Sequence, residues 1–116
     1  MNVFISYDFG MKGDYEGLFK WLDEHHAEER GYGIGMIKDF QYDKTIIKTD
    51  LDLFNYVKDE LKIKIKIGST DRIYMIWDSV ETSKIQAGFL FGKSKQAPWT
   101  GYAPSSQLDK IELDIQ

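Results

Sequence analysis

The stretch Asn2-Val3-Phe4-Ile5-Ser6-Tyr7-Asp8-Phe9-Gly10 decides how the rest of the chain is read. Its β-branched and aromatic residues favour a buried extended strand. The run starts beside Met1 and stops at an aspartate followed by a glycine-containing turn. A carboxylate at the C-terminal end of such a strand has two uses. It can hold a hard cation, or it can cap the next loop by accepting from the backbone of Gly10 to Lys12. The role of Asp8 is therefore the functional question.

Beyond the strand the hydrophobic period changes near Lys12-Gly13-Asp14. Tyr15, Leu18, Phe19 and Leu22 fall at i, i+3, i+4 and i+7, the apolar face of a helix expected to run to about Glu29. Asp14 is its candidate N-cap. Gly31, Gly33 and Gly35 are expected to stop it and supply a turn. The same glycines have the look of a phosphate loop, but such a loop follows a strand and opens a helix, and this one does the reverse.

Next comes an expected hairpin, with Met36-Ile37 on one arm, Thr45-Ile46-Ile47-Lys48 on the other, and Gln41 to Lys44 at the turn. Thr49-Asp50-Leu51-Asp52 has the form of a capping box. Phe54, Val57 and Leu61 are the predicted inner face of a second helix. Lys62-Ile63-Lys64-Ile65-Lys66-Ile67 alternates strictly and reads either as a strand or as a frayed helix tail. If extended, it sets three lysines on one face. Ser69-Thr70-Asp71 is a turn, and Arg72 to Trp77 is the last core strand. Ala87–Phe91 and Lys110–Ile115 are candidate extra strands.

The order β-α-β-β-α-β predicts an α+β fold of the ferredoxin-like kind, an antiparallel sheet with both helices on one face. With 116 residues the chain has room for one domain, with a core over 2–78 and a C-terminal extension over 79–116. The 42% hydrophobic content suffices for a packed core and argues against disorder. The chain has no cysteine, which excludes a disulfide framework, a thiolate zinc site and a thiol nucleophile. No apolar stretch approaches the roughly 20 residues that span a bilayer, so a soluble cytoplasmic protein is expected. The net charge of −4 lowers the expectation of nucleic-acid binding, which would have to rest on a local basic patch.

The motif Ile5-Ser6-Tyr7-Asp8 resembles the first strand of the small SinR-like proteins, distant relatives of the CRISPR-associated small nuclease subunit that works with the spacer integrase. The resemblance continues through Asp14-Tyr15 with Leu18, Ile47-Lys48-Thr49-Asp50, Asp71-Arg72, and the late Trp99-Thr100-Gly101-Tyr102. It implies a βαββαβ fold in a homodimer. It also implies that Asp8 meets its symmetry mate with Mg²⁺ between them, which makes Asp8 both the catalytic and the metal-binding candidate. A metal held there would polarise a phosphoryl oxygen and lower the pKa of a bound water. The expected activity is that of a phosphodiesterase on RNA or DNA. The alternative is a non-catalytic dimeric module that binds nucleic acid or protein. Lys12, Lys44 and Lys48 are the candidate phosphate contacts.

Val3-Phe4-Ile5-Ser6-Tyr7 also resembles the opening strand of TIR domains, some of which cleave NAD. That reading requires a parallel sheet of repeated βα units, which the expected hairpin interrupts. His25 and His26 are adjacent on a helix and diverge by about 100°, so they do not grip one metal. Trp99 and Tyr102 are expected to pin the tail onto the domain or a partner subunit.

Overall fold

The computed structural model describes residues 1–104. The elements are β1 (Val3–Asp8), α1 (Tyr15–Glu24), β2 (Glu28–Glu29), β3 (Ile34–Ile37), α2 (Asp50–Lys64), β4 (Arg72–Asp78) and β5 (Ile85–Phe91). The strands form one sheet in the order β2-β3-β1-β4-β5. Every pairing is antiparallel, which sets aside the parallel-sheet alternative. The fold is thus α+β, with five strands and two helices. No helix among the described residues is long and apolar enough to cross a membrane.

β1 lies at the centre because it is apolar on both pleats. Val3 and Ile5 are fully buried on one face, while Phe4 and Ser6 are half-buried on the other. The buried pleat continues through Ile37 of β3 and Ile73, Met75 and Trp77 of β4. Leu18 and Trp21 of α1 and Leu53, Val57 and Leu61 of α2 close over it in one hydrophobic cluster. The opposite face carries no helix and leaves Phe4, Met36, Tyr74, Ile76 and Phe89 partly exposed.

α1 begins as expected, with the Asp14 carboxylate accepting from the Gly17 amide at 3.0 Å. It ends at Glu24, five residues before the expected boundary at Glu29. The terminator is His26, in the left-handed region with φ of 56°. Its amide bonds the Asp23 carbonyl and the Ala27 amide bonds the Leu22 carbonyl, the paired bonds of a Schellman cap. That motif usually uses glycine, so the sequence carried no obvious stop here.

The early end of α1 frees residues 28–37 to form the hairpin. Its arms are Glu28–Glu29 and Ile34–Ile37, with Glu28 opposite Met36. Gly33 sits in the connecting turn at φ of 74°, where most side chains would be strained. The expected second arm, Thr45 to Lys48, does not form: Thr45 and Ile46 lie in a turn, and Ile47 and Lys48 run on to α2 without strand pairing. The Asp43 carboxylate accepts from the Thr45 amide and hydroxyl, and the Asp43 carbonyl accepts from the Ile46 and Ile47 amides. An Asx side chain that satisfies its own neighbourhood competes with strand pairing, and here it wins.

α2 opens on the expected capping box. Thr49 Oγ1 accepts from the Asp52 amide at 3.0 Å, and Asp52 Oδ2 accepts from the Thr49 amide at 3.1 Å. The helix continues through Lys64 before the chain turns extended at buried Ile65. Lys62, Lys64 and Lys66 therefore do not make a strand face, and Lys64 pairs with Glu24 at 3.2 Å. β5 forms beside β4, beginning two residues before the expected Ala87. In it Leu90 is the extra residue of a bulge, since Ile73 faces Phe91 while Tyr74 faces Phe89. The expected strand at Lys110–Ile115 lies outside the described residues.

Candidate functional site at the end of the first strand

Asp8 and Arg72 are register partners at the end of β1 and the start of β4. Arg72 Nη2 donates to Asp8 Oδ2 at 2.7 Å. This bond holds the Asp8 carboxyl below the usual carboxylate range, with further help from the positive charges of Arg72 and Lys95. Asp8 is therefore ionised at neutral pH and carries its own cation. Its side chain remains 61% exposed, so the pair gains little in stability from being made.

The loop-capping role considered for Asp8 belongs to another residue. Asp71, buried to 4% exposure, accepts from the Gly10 amide through Oδ1 at 2.8 Å and from the Gly68 amide through Oδ2 at 2.7 Å. One carboxylate thus ties the loop after β1 to the turn before β4. In the sequence Asp71 stands out by its place between a turn and a strand and as part of the Asp71-Arg72 pair in the resemblance, neither of which assigns it a cap.

Arg72 is shared by two clefts. On the open face of the sheet, Ser6, Asp8, Arg72, Tyr74 and Phe89 line one of about 350 Å³. Around the strand end, Ser69, Thr70, Arg72, Lys93, Ser94 and Lys95 line another of about 350 Å³. The segment after β5 reaches Arg72 because residue 92 is a glycine. Gly92 has φ of 79°, and a Cβ there would lie 2.7 Å from Arg72 Cγ. Among the described residues, Arg72 Nε is the buried side-chain nitrogen with no hydrogen-bond partner. The arrangement therefore offers the Asp8-paired Arg72, the cations of Lys93 and Lys95, and hydroxyls from Ser69, Thr70 and Ser94, with the buried Asp71 carboxylate behind them. That chemistry suits an oxyanion such as a phosphate diester.

The lysines singled out in the sequence do not come together here. Lys12 lies in the loop after β1, four residues beyond Asp8. Lys44 lines a cleft with Met1 and Phe40, at the opposite end of β1. Lys48 precedes α2 near that same end, because Asp50 accepts from Trp77, Ser79 and Val80 at the far end of β4. Lys93 and Lys95 take the place at the Asp8 end, and no sequence pattern singled them out. They become neighbours of Arg72 only through the β4–β5 pairing.

His25 and His26 point to different uses, as expected of adjacent residues. His25 Nε2 contacts Glu60 Oε1 at 2.8 Å, and its ring stacks on Phe40 at 5.1 Å. Trp99 and Tyr102 are 72% and 85% exposed, so they are not packed onto their own domain. No group of three or more His, Cys, Asp or Glu side chains is placed to hold a metal among the described residues. No family model, curated protein or solved structure matches the chain.

Proposed function

We propose that the chain is a ferredoxin-like, homodimeric cytoplasmic module that binds the phosphate backbone of RNA or DNA without cutting it. The ferredoxin-like assignment is supported by the run β2-β3-β1-β4. In it each helix links two strands separated by one antiparallel neighbour, the split βαβ pattern. The observation that carries the binding reading is the pairing of Asp8 with Arg72 at 2.7 Å, beside Lys93 and Lys95. A divalent cation at Asp8 would have to share the carboxylate with a guanidinium that already occupies Oδ2. A phosphate would instead meet Lys93 and Lys95 beside the pair and leave the Asp8–Arg72 bond in place. Exposed Trp99 and Tyr102 follow Lys95 in the chain and offer stacking surfaces for unpaired bases. A second copy is the partner this reading gives to the open sheet face, and sedimentation equilibrium tests it.

The test of binding is fluorescence anisotropy of labelled single-stranded RNA and DNA with EDTA present. Wild type is expected to bind and the triple variant Arg72→Ala/Lys93→Ala/Lys95→Ala to lose most of that affinity.

A second reading is a phosphodiesterase in which the Asp8 carboxylates of two copies share Mg²⁺. It is favoured by the exposure of Asp8, which leaves an ionised carboxylate at the strand end. It requires cleavage that depends on Mg²⁺ or Mn²⁺ and disappears in Asp8→Asn. The binding reading expects no metal-dependent cleavage from either protein.

A further inference from the structure

We propose that the cleft between α1, the end of β1 and the β2–β3 hairpin is a binding site for a small organic cation bearing a methylated ammonium group. The site lies on the helix side of the sheet, away from the cleft at Arg72, and does not depend on the nucleic-acid reading.

The first observation is the wall. Tyr7 meets Phe19 at 5.9 Å and 71° and Tyr15 at 6.2 Å and 74°, while Tyr15 and Phe19 lie 5.7 Å apart at 53°. Tyr7 and Phe19 separate two adjoining hollows of about 300 and 270 Å³. Fully exposed Tyr32 stands at the edge of the second. Leu22 and Ala27 supply alkyl surface in the first. Rings presented at differing angles bring negative π-faces to one volume, and that favours a cation.

The second observation is the rim. Asp8, Asp23, Glu28 and Glu29 line the two hollows, with no Lys, Arg or His among the lining residues. Two of these carboxylates are already compensated, Asp8 by Arg72 and Glu28 by Arg30 and Lys38. Neither the Asp23 nor the Glu29 carboxylate has an ion-pair partner among the described residues; the Glu29 carboxylate accepts from the Gly31 amide, and the Arg30 guanidinium reaches its carbonyl oxygen at 3.1 Å. The Tyr7 hydroxyl registers the same field: burial first, then Tyr15, Tyr32 and Glu29, push its pKa up.

The two observations together select the class of cation. A primary ammonium brings three donors and a guanidinium five, and each needs an acceptor when it leaves water. The hollows are walled by rings and alkyl groups, with carboxylates only at the rim. A methylated ammonium brings positive charge with few or no donors to satisfy, so it matches both parts.

The test is a ¹H–¹⁵N NMR titration of the full chain with choline, against its neutral isostere 3,3-dimethylbutan-1-ol and a sodium chloride control. Choline is expected to give saturable shifts at the Ala27, Gly33 and Gly35 amides, with an affinity about fivefold above that of the isostere. The double variant Asp23→Asn/Glu29→Gln should weaken choline binding and leave the isostere unchanged. Tyr32→Ala, at a fully exposed position that does not bear on folding, should weaken it as well. Shifts that rise without saturation, an equal response to choline and isostere, or undiminished binding in both variants would overturn the proposal.

Discussion

Arg72 Nη2 reaches Asp8 Oδ2 at 2.7 Å across a register pair of two interior strands, so the strand-end carboxylate is neutralised within its own sheet. Cross-strand neighbours of opposite charge are close by construction, and this pair is fixed by the β1–β4 register rather than by a flexible loop. The consequence is a site whose net character is set by its cations.

Removing the guanidinium should change Asp8 directly. In Arg72→Ala the Asp8 carboxyl loses its main hydrogen bond and its nearest positive charge. Its titration midpoint should then rise toward the ordinary aspartate value. Side-chain carboxyl NMR across acidic pH reads this, and a midpoint that stays where it was would show that Arg72 is not the cause.

Asp71 should matter more for stability than its exposed neighbour Asp8. Asp71→Ala strands the Gly10 and Gly68 amides and is expected to cost about 2–3 kcal/mol in urea denaturation. Asp71→Asn keeps one acceptor oxygen and should cost less. An Ala variant as stable as wild type would mean that water replaces both bonds.

Glu60 should give the fold part of its acid sensitivity. Burial pushes its carboxyl up, but hydrogen bonds from His25, Tyr56 and Trp21 outweigh that and hold it below its ordinary value of 4.5. A folded-state pKa that is depressed contributes stability above the unfolded value, lost as pH falls through the folded one. The stability gap between wild type and Glu60→Gln should therefore be full at neutral pH and shrink below about 4.5. Urea midpoints over a pH series test this, and a constant gap would contradict it.

His26 holds a backbone conformation that glycine adopts without strain. His26→Gly should stabilise the fold by about 0.5–1 kcal/mol, the relief of the left-handed residue less the added chain entropy. Thermal or urea denaturation checks the sign. A destabilised variant would show that the exposed imidazole makes a contact of its own.

Much of the architecture was legible because periodicity carried it. Val3 and Ile5 alternate with Phe4 and Ser6, Leu18 lies on the expected face of α1, and the Thr49–Asp52 box announces α2, whereas buried Trp21 lay outside the expected face and Tyr15 and Phe19 within it are exposed. What was hidden lay where local chemistry departed from habit. A histidine rather than a glycine ends α1, and an aspartate turn at Asp43 displaced the expected strand arm at Thr45 to Lys48. Lys44 lies in that turn and Lys48 follows it, and the fold puts them at the wrong end of β1 for Asp8. The cations that do reach Asp8 come from long-range pairing: Arg72 is 64 residues away, and Lys95 follows the fifth strand. No spacing rule in a single sequence exposes such neighbours.

The most direct test of the central claim is the salt dependence of single-stranded nucleic-acid binding, measured by anisotropy with EDTA present. If Lys93 and Lys95 each neutralise one phosphate while Arg72 stays compensated by Asp8, log K should fall against log[salt] with a slope of about −1.4. The slope should flatten toward zero in the triple alanine variant. Absence of binding at low salt, or an unchanged slope in that variant, would contradict the account.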